Sequence, residues 1–597
     1  MTTNLSFAGM HDELRATSLE KLPSLRIAVL RNVTIEPIEA HLRYVAHKDG
    51  FNAEVAFGRF DNIVQDATDP GSAVWQAQAD IVLVFASVET LSPQLASRFT
   101  ALAPQDTAGE VERVSAFVDA TLQGLRRHTA ATVLWHGFET PLDPALGIYD
   151  SQIDHGQLGV IRQLNARLKE KLRRAGNAYF VDLDLCVARL GANAFFDRRY
   201  WHLGRAPYSL AALELIAAED FKFVRALTGA TKKCLVLDCD GVLWGGTIGE
   251  DGVDGIALSQ HHPGSCHQEL QETVLSLHHR GVILALCSKN NEEDVRQVFR
   301  EHPGMVLREH HISAARINWA DKATNLKSLA AELNIGLNSM VFVDDSEFEV
   351  ELVRAALPDV EVIHLPAARA VEFKHILAAP GWFDALTVSE ADRERGEMYR
   401  AEAERRRLLA EQPDLAGYLA SLDLKVDVQA VDERSLARVA QLTQRTNQFN
   451  LTAKRYSEDD IRSLVGSSNC RALTVQVSDR FGNYGLTGAA ILKFNAGNCE
   501  IDTLLLSCRV IGRGIEDVLL SACLKVARQR SIQRVRARRV KTAKNGLVAN
   551  FYAERGFTVE RDEDQETAYW MDLDEVERDW PAHILSVKMD GLLGERQ

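Results

Sequence analysis

One stretch limits the possible folds more than any other: Leu235-Val-Leu-Asp-Cys-Asp-Gly-Val-Leu-Trp-Gly-Gly-Thr-Ile-Gly-Glu-Asp-Gly252. An apolar run leads straight into two aspartates one residue apart, then into a glycine-rich segment. A strand ending in Asp-x-Asp sets both carboxylates at its C-terminal end, where open α/β sheets bind ligands. Such anions act on a phosphoryl group only when cations offset the repulsion. The pattern therefore predicts Mg2+ held by oxygen ligands and an ammonium nearby.

The residues that follow supply those parts in order. The apolar run Val282–Cys287 ends at Ser288, a hydroxyl suited to a phosphoryl oxygen, with Lys289 beside it. Asp321 is a good N-cap for a helix that opens with Lys322. Met340-Val-Phe-Val then ends in Asp344-Asp345, suited to the metal.

The chain has 597 residues, too many for one core, so about three domains are expected. Residues 20–228 alternate short apolar runs with amphipathic stretches, the rhythm of a parallel sheet covered on both faces. A second α/β pattern fills 229–385, and a charged helical linker occupies 386–423. In 424–580 adjacent strands precede a helix from Gly512 to about Arg528, which predicts a mixed, mostly antiparallel α+β unit. The nine cysteines form no CxxC pair, so reduced thiols are expected. No apolar run approaches the ~20 residues that span a bilayer, and the start lacks a signal-peptide pattern, so a cytoplasmic location is expected. A net charge of −15 disfavours general nucleic-acid binding and leaves small molecules or a protein partner.

Four strand-end elements in the order Asp-x-Asp, Ser, Lys, Asp-Asp resemble the haloacid dehalogenase (HAD) superfamily. The resemblance implies a Rossmann-like α/β fold with Asp238 as nucleophile and Asp240 as general acid/base. Ser288, Lys289 and Lys322 would grip the phosphoryl group, and Asp238, Asp240, Asp344 and Asp345 would surround Mg2+. The glycine-rich segment would be a small flap, because too few residues separate Asp240 from Ser288 for a large cap.

The wording LWGGTIGEDGVDGI, LCSKNNEEDV, INWADKATNLKSLAAELN and VFVDDSEFE is similar to the FkbH-like branch of that superfamily. The stretches QLTQRTNQFNLTAKRY, DRFGNYGLTG, IDTLLLSCRVIGRGIE and NFYAERGF extend the resemblance to nearly the whole chain. It implies an enzyme of polyketide-type biosynthesis that takes 1,3-bisphosphoglycerate, removes phosphate and loads the glyceryl unit onto an acyl carrier protein through an enzyme thioester. Asp240-Gly241-Val242 stands where the branch usually has Asp-Asn-Thr. That departure leaves a plain small-molecule phosphatase as an alternative.

A thioester needs a thiol, and Cys287 is the candidate: beside the metal site and a lysine, its thiolate would be favoured. The other reading of Cys287 is a small buried hydrophobe finishing a strand. Cys239 should point away from its flanking aspartates by strand alternation and belong to the core.

In the third segment Arg509-Val-Ile-Gly512-Arg513-Gly514 lies after a strand and before a helix. It resembles the pyrophosphate-cradling loop of GNAT acyltransferases, with Asn550 and Tyr552 following. The implied ligand is the phosphopantetheine of a carrier protein or coenzyme A, and an acetyl-CoA-dependent acyltransferase is a further alternative. The basic run Arg534–Lys541 would suit an acidic carrier, or is an ordinary exposed strand. In the first segment, Asp197-Arg-Arg-Tyr-Trp-His202 resembles the Asp-x-x-His block of SGNH hydrolases, and Asn32-Val-Thr34 replaces the Gly-Asp-Ser nucleophile. A hydrolase-like, flavodoxin-like α/β fold without hydrolase chemistry is expected there.

Overall fold

The computed structural model describes residues 7–16, 21–76, 78–387, 408, 414–495, 497–542, 544–573, 580–589 and 592. Most of the expected linker lies outside them. The chain divides into two compact units, Met1–Arg225 and Ala226–Gln597.

The first unit is built on five parallel strands: β1 (Ser24–Arg31), β2 (Asn52–Phe57), β3 (Ile81–Phe85), β4 (Thr132–His136) and β5 (Ala178–Val181). Their order is β2-β1-β3-β4-β5, the flavodoxin-like arrangement. Strands β3 and β4 are buried along their whole length because helices cover both faces. On one face the helices Pro104–His128 and Gln157–Ala175 present Val114, Val118, Ile161 and Leu164. Ile38, Leu42, Ile216 and Phe221 cover the other. Each such side chain contributes roughly 1.5–3 kcal/mol when fully buried.

The second unit begins with another parallel sheet: β6 (Cys234–Leu237), β7 (Ile283–Ser288), β8 (Ile312–Ile317), β9 (Met340–Asp344) and β10 (Glu361–His364). The order is β10-β9-β6-β7-β8, so the chain reverses direction across the sheet between β6 and β9. The crevice outside the C-terminal ends of those two strands is where such a sheet receives a ligand. The expected flap contains a short helix, Ile248–Gly255, broken at Gly252, where φ is 67°. Among the described residues no helix is long and apolar enough to cross a membrane.

The remaining strands are β11 (Leu424–Ala430), β12 (Phe449–Asn450), β13 (Cys470–Asp479), β14 (Gly482–Asn495), β15 (Asn498–Leu506), β16 (Arg534–Val540), β17 (Thr558–Asp562), β18 (Glu566–Asp572) and β19 (Ile584–Lys588). They form a mixed sheet, parallel between β15 and β16 and between β11 and β19 and antiparallel elsewhere. The helix Ile515–Gln529 follows β15 and buries Val518, Leu519 and Cys523 against it. Strands β15 and β16 pair over Asn498–Ile501 and Arg534–Ala537; further along, β12 pairs with Leu505 and Leu506 instead.

Candidate active site

Asp238 directly follows β6 and Asp344 ends β9, so the two strands flanking the reversal each deliver one carboxylate. Lys322, first residue of the helix Lys322–Leu333, lies between them. Its Nζ donates to Asp238 Oδ2 at 2.6 Å and to Asp344 Oδ2 at 2.5 Å. Asp321 fixes that helix start by accepting from the Thr324 N–H at 2.8 Å. All three charged groups are buried. Oxygens of Asp238, Asp344 and Asp345 lie within 4.8 Å of one another. Three carboxylates and one ammonium leave two negative charges, matching one Mg2+, and hard oxygen donors suit that ion.

The electrostatics follow from this crowding. Burial pushes Asp344 up to about 6, the like charge of Asp238 adds to it, and Lys322 pulls the other way. Burial and Asp238 also raise Asp345. Burial opposes the Lys322 charge, but Asp238 and Asp344 outweigh it and hold the ammonium above its ordinary range. Gly241 makes room for this set. Its φ is +70°, and a Cβ there would stand 2.1 Å from Asp345 Oδ2.

Asp240 has a different environment. Its Oδ1 accepts from Trp244 Nε1 at 2.7 Å and from the Ile248 N–H at 3.1 Å, while Oδ2 accepts from Asn290 Nδ2 at 3.1 Å. Burial raises Asp240 against those three donors. Its carboxylate is thereby tied to the flap and stands outside the close carboxylate set, which corrects its expected place among the metal ligands. Asn290 also donates to Ser288 Oγ at 3.1 Å, linking that hydroxyl to the Asp240 carboxylate. Asn290 and Trp244 were not anticipated; the Asn290-Asn291 pair just after Ser288 was the available signal.

Two more expectations change. Cys287 faces the apolar cluster with Ala323, Leu326 and Phe342, has no exposed surface, and donates its Sγ–H to the Lys322 carbonyl at 3.9 Å. Burial pushes its thiol up to about 12, so the environment opposes a thiolate. Lys289 is paired with Glu349 at 2.7 Å, which takes up the charge expected to meet phosphate. Cys239 is fully buried in the cluster with Trp244 and Ile248.

In the third segment Gly512 and Gly514 both have φ +77°, giving the turn that opens the helix Ile515–Gln529. Arg509 Nε donates to Ser507 Oγ. Arg513 turns inward onto Tyr484, donating to its hydroxyl, rather than toward a ligand. Pro581 covers Gly514, where a Cβ would meet it at 2.6 Å, and His583 Nε2 lies 2.9 Å from the Arg513 carbonyl. Asn550 is exposed, and its carbonyl accepts from the Glu554 N–H. Tyr552 is buried with its hydroxyl unpartnered. Three of the four arginines of β16 pair with carboxylates of the same sheet: Arg534 with Asp572, Arg536 with Glu560 and Arg538 with Glu500.

In the first unit Asp197 caps the short helix Arg198–Gly204 by accepting from the Tyr200 N–H, and His202 is exposed on that helix. Thr34 Oγ1 donates to the Gly204 carbonyl. Asp197 is thus a helix cap, not part of a hydrolase constellation.

Residues 26–224 match the FkbH N-terminal domain family. The chain is similar to the N-terminal part of a Bacteroides fragilis protein containing a phosphatase domain, crystallised with Mg. That likeness has 26% identity and a TM-score of 0.58, and covers 64% of this chain and 99% of the other. Two N-acetyltransferases also match. The Escherichia coli ribosomal-protein-S18-alanine enzyme is 12% identical with a TM-score of 0.21, covering 26% of this chain and 97% of its own. The Thermoplasma acidophilum PaiA enzyme, solved with coenzyme A, is 20% identical with a TM-score of 0.19, covering 25% and 98%. No curated protein matches. Residues 26–224 are thus similar to the FkbH N-terminal domain, and the second α/β sheet, which gathers Asp238, Asp344 and Asp345, lies in the part of the chain similar to a Mg-bound phosphatase-domain protein.

Proposed function

We propose that the chain is a Mg2+-dependent phosphoryl-transfer enzyme. It removes phosphate from 1,3-bisphosphoglycerate and delivers the glyceryl unit to an acyl carrier protein in polyketide-type biosynthesis. The observation that supports this most is the set Asp238, Asp344 and Asp345 gathered around Lys322 at the reversal of the sheet.

In the phosphatase half, an Asp238 oxygen attacks the phosphorus of the C3 phosphate, the bond from phosphorus to the C3 oxygen of the glyceryl unit breaks, and that oxygen takes a proton from Asp240. Asp240 then accepts a proton from water, which attacks the aspartyl phosphate, releases phosphate and restores Asp238. Mg2+ bound by Asp238, Asp344 and Asp345 would offset the repulsion between carboxylate and phosphate. Lys322 and Ser288 hold the phosphoryl oxygens, and Asn290 keeps the Ser288 hydroxyl and Asp240 in register.

In the acyl half a thiolate attacks C1, a C–S bond forms, and phosphate leaves with the electron pair of the C1–O bond. A relay through Cys287 requires that this thiol first be uncovered and deprotonated. The pantetheine thiol of the carrier needs no uncovering, only the loss of its proton to a base as it attacks. The burial of Cys287 also favours a second reading, a phosphatase for small phosphate esters without acyl transfer.

Intact-protein mass spectrometry with Mg2+ and freshly generated 1,3-bisphosphoglycerate, with and without holo carrier, separates these. A glyceryl adduct on wild type but not on Cys287→Ala supports the enzyme relay. An adduct on the carrier alone supports direct transfer. Phosphate release with neither adduct leaves the phosphatase.

A further inference from the structure

The first unit exposes its large apolar side chains at one end. Phe60 follows β2, and Leu142, Ile148 and Tyr149 follow β4. Tyr200 and Leu203 lie on the helix Arg198–Gly204, which is tied to the loop after β1 by the Thr34 N–H donating to the Arg205 carbonyl at 2.8 Å. Among the described residues the unit exposes two others of this kind, Leu185 after β5 and Leu210, and Tyr208 just before Leu210 donates its hydroxyl to Glu139 after β4. All lie at the C-terminal ends of the parallel strands. Ile148 is 93% exposed and Leu203 75%. Single exposed apolar residues are ordinary. Gathered on one end and rimmed by charge, they mark a place of interaction.

Between β1 and β3, Asn32 Oδ1 accepts from the Ser87 N–H at 2.7 Å and its Nδ2 donates to the Ser87 carbonyl at 3.3 Å, joining the two strand ends where the order of the sheet reverses. Five strands at roughly 4.8 Å spacing give a face about 20 Å across, the width of a small helical domain.

Beside Tyr200 and Leu203 the exposed charge is mainly positive, whereas Asp61 next to Phe60 and Asp143 next to Leu142 are exposed acidic groups. Arg198 and Arg199 are 66% and 71% exposed, and their nearest carboxylates, on Glu89 and Asp197, stand 3.5 Å and 4.0 Å away. Arg205 and His202 are exposed on the same segment. On a chain of net charge −15, this corner is where an acidic partner meets attraction.

We propose that this end of the first unit docks an acidic acyl carrier protein, with Tyr200, Leu203 and Ile148 as apolar anchors and Arg198, Arg199 and Arg205 meeting its carboxylates. The inference rests on the proposed function for the identity of the partner.

The test is the affinity of full-length wild type for a fluorescently labelled holo acyl carrier protein, compared with Arg198→Glu/Arg199→Glu and with Ile148→Ser/Leu203→Ser. All these positions are exposed, and circular dichroism checks the fold of each variant. A loss of ten-fold or more in both variants, with wild-type binding weakened by salt and Mg2+-dependent phosphate release unchanged, is expected. Equal affinities in wild type and variants, or no binding by wild type, overturn the proposal. So does sedimentation showing that the same substitutions dissolve a homodimer while carrier binding persists, since a second copy would then be the occupant. Phosphate release is read separately: its absence in wild type sinks the proposed reaction, whereas carrier binding reports on the docking surface alone.

Discussion

The Nζ of Lys322 stands 2.6 Å from Asp238 Oδ2, joining a helix N-terminus to the end of the central strand β6 in a buried ion pair. With Asp344 on its other side, the ammonium separates two carboxylates that would otherwise repel at close range. Removing it leaves buried charge without a counter-ion, which costs about 3–5 kcal/mol. Lys322→Met is therefore expected to lower the urea midpoint in metal-free buffer and to abolish phosphate release. Mg2+ should restore part of the stability but none of the turnover.

Asp344 carries a pH signature. An ordinary aspartate titrates near about 4, and here burial beside Asp238 moves it up to about 6. The folded chain thus holds a proton that the unfolded chain has already lost. The contribution of this group to metal-free stability is full below about pH 4, falls as pH rises to about 6, and is level above. Mg2+ needs the carboxylate, so its stabilising effect has the opposite trend. Melting curves with Mg2+ and with chelator should converge below about pH 5 and separate above about pH 6.

Gly241→Ala should loosen the metal site while leaving the strand intact. The new Cβ would overlap the Asp345 carboxylate at a backbone φ of +70° that side chains seldom adopt. A displaced ligand should cost roughly ten-fold or more in Mg2+ affinity, as shifts in the supporting groups of metal sites do. Calorimetric titration of the full chain with Mg2+ measures it.

Asn290 is expected to act on kcat rather than KM. Its amide donates to Asp240 and to Ser288 at 3.1 Å each. A hydrogen bond to a charged group contributes about 1.5–3 kcal/mol, so Asn290→Ala should lower kcat by roughly 10- to 100-fold. KM should change little, because the proposed reaction leaves Lys322 to hold the phosphoryl group. Steady-state phosphate release gives both constants.

The legible parts of the fold were those that local pattern fixes. Apolar runs ending in Asp238, Ser288 and Asp344 announced strand ends, and the glycines before Ile515 announced the start of its helix. Contacts between distant segments were not legible. Nothing near Asp240 in sequence marks the Asn290 amide as its partner, and the carboxylates opposite Arg534, Arg536 and Arg538 become visible only once strand pairing is known. Cys287 is different, because the rule that assigned Cys239 to the core applies to it equally. Ser288 turns its hydroxyl to the site, so its neighbour on the same strand faces the opposite side, into the cluster with Phe342. Proximity in sequence to catalytic residues outweighed strand parity in the expectation, and parity prevails in the fold.

The central claim, phosphoryl chemistry at Asp238 with Mg2+, is tested most directly by phosphate release from 1,3-bisphosphoglycerate in wild type and Asp238→Asn, each with Mg2+ and with chelator. Release is expected from wild type with Mg2+ and from none of the other three mixtures. Release by Asp238→Asn at the wild-type rate, or by wild type in chelator, would contradict it.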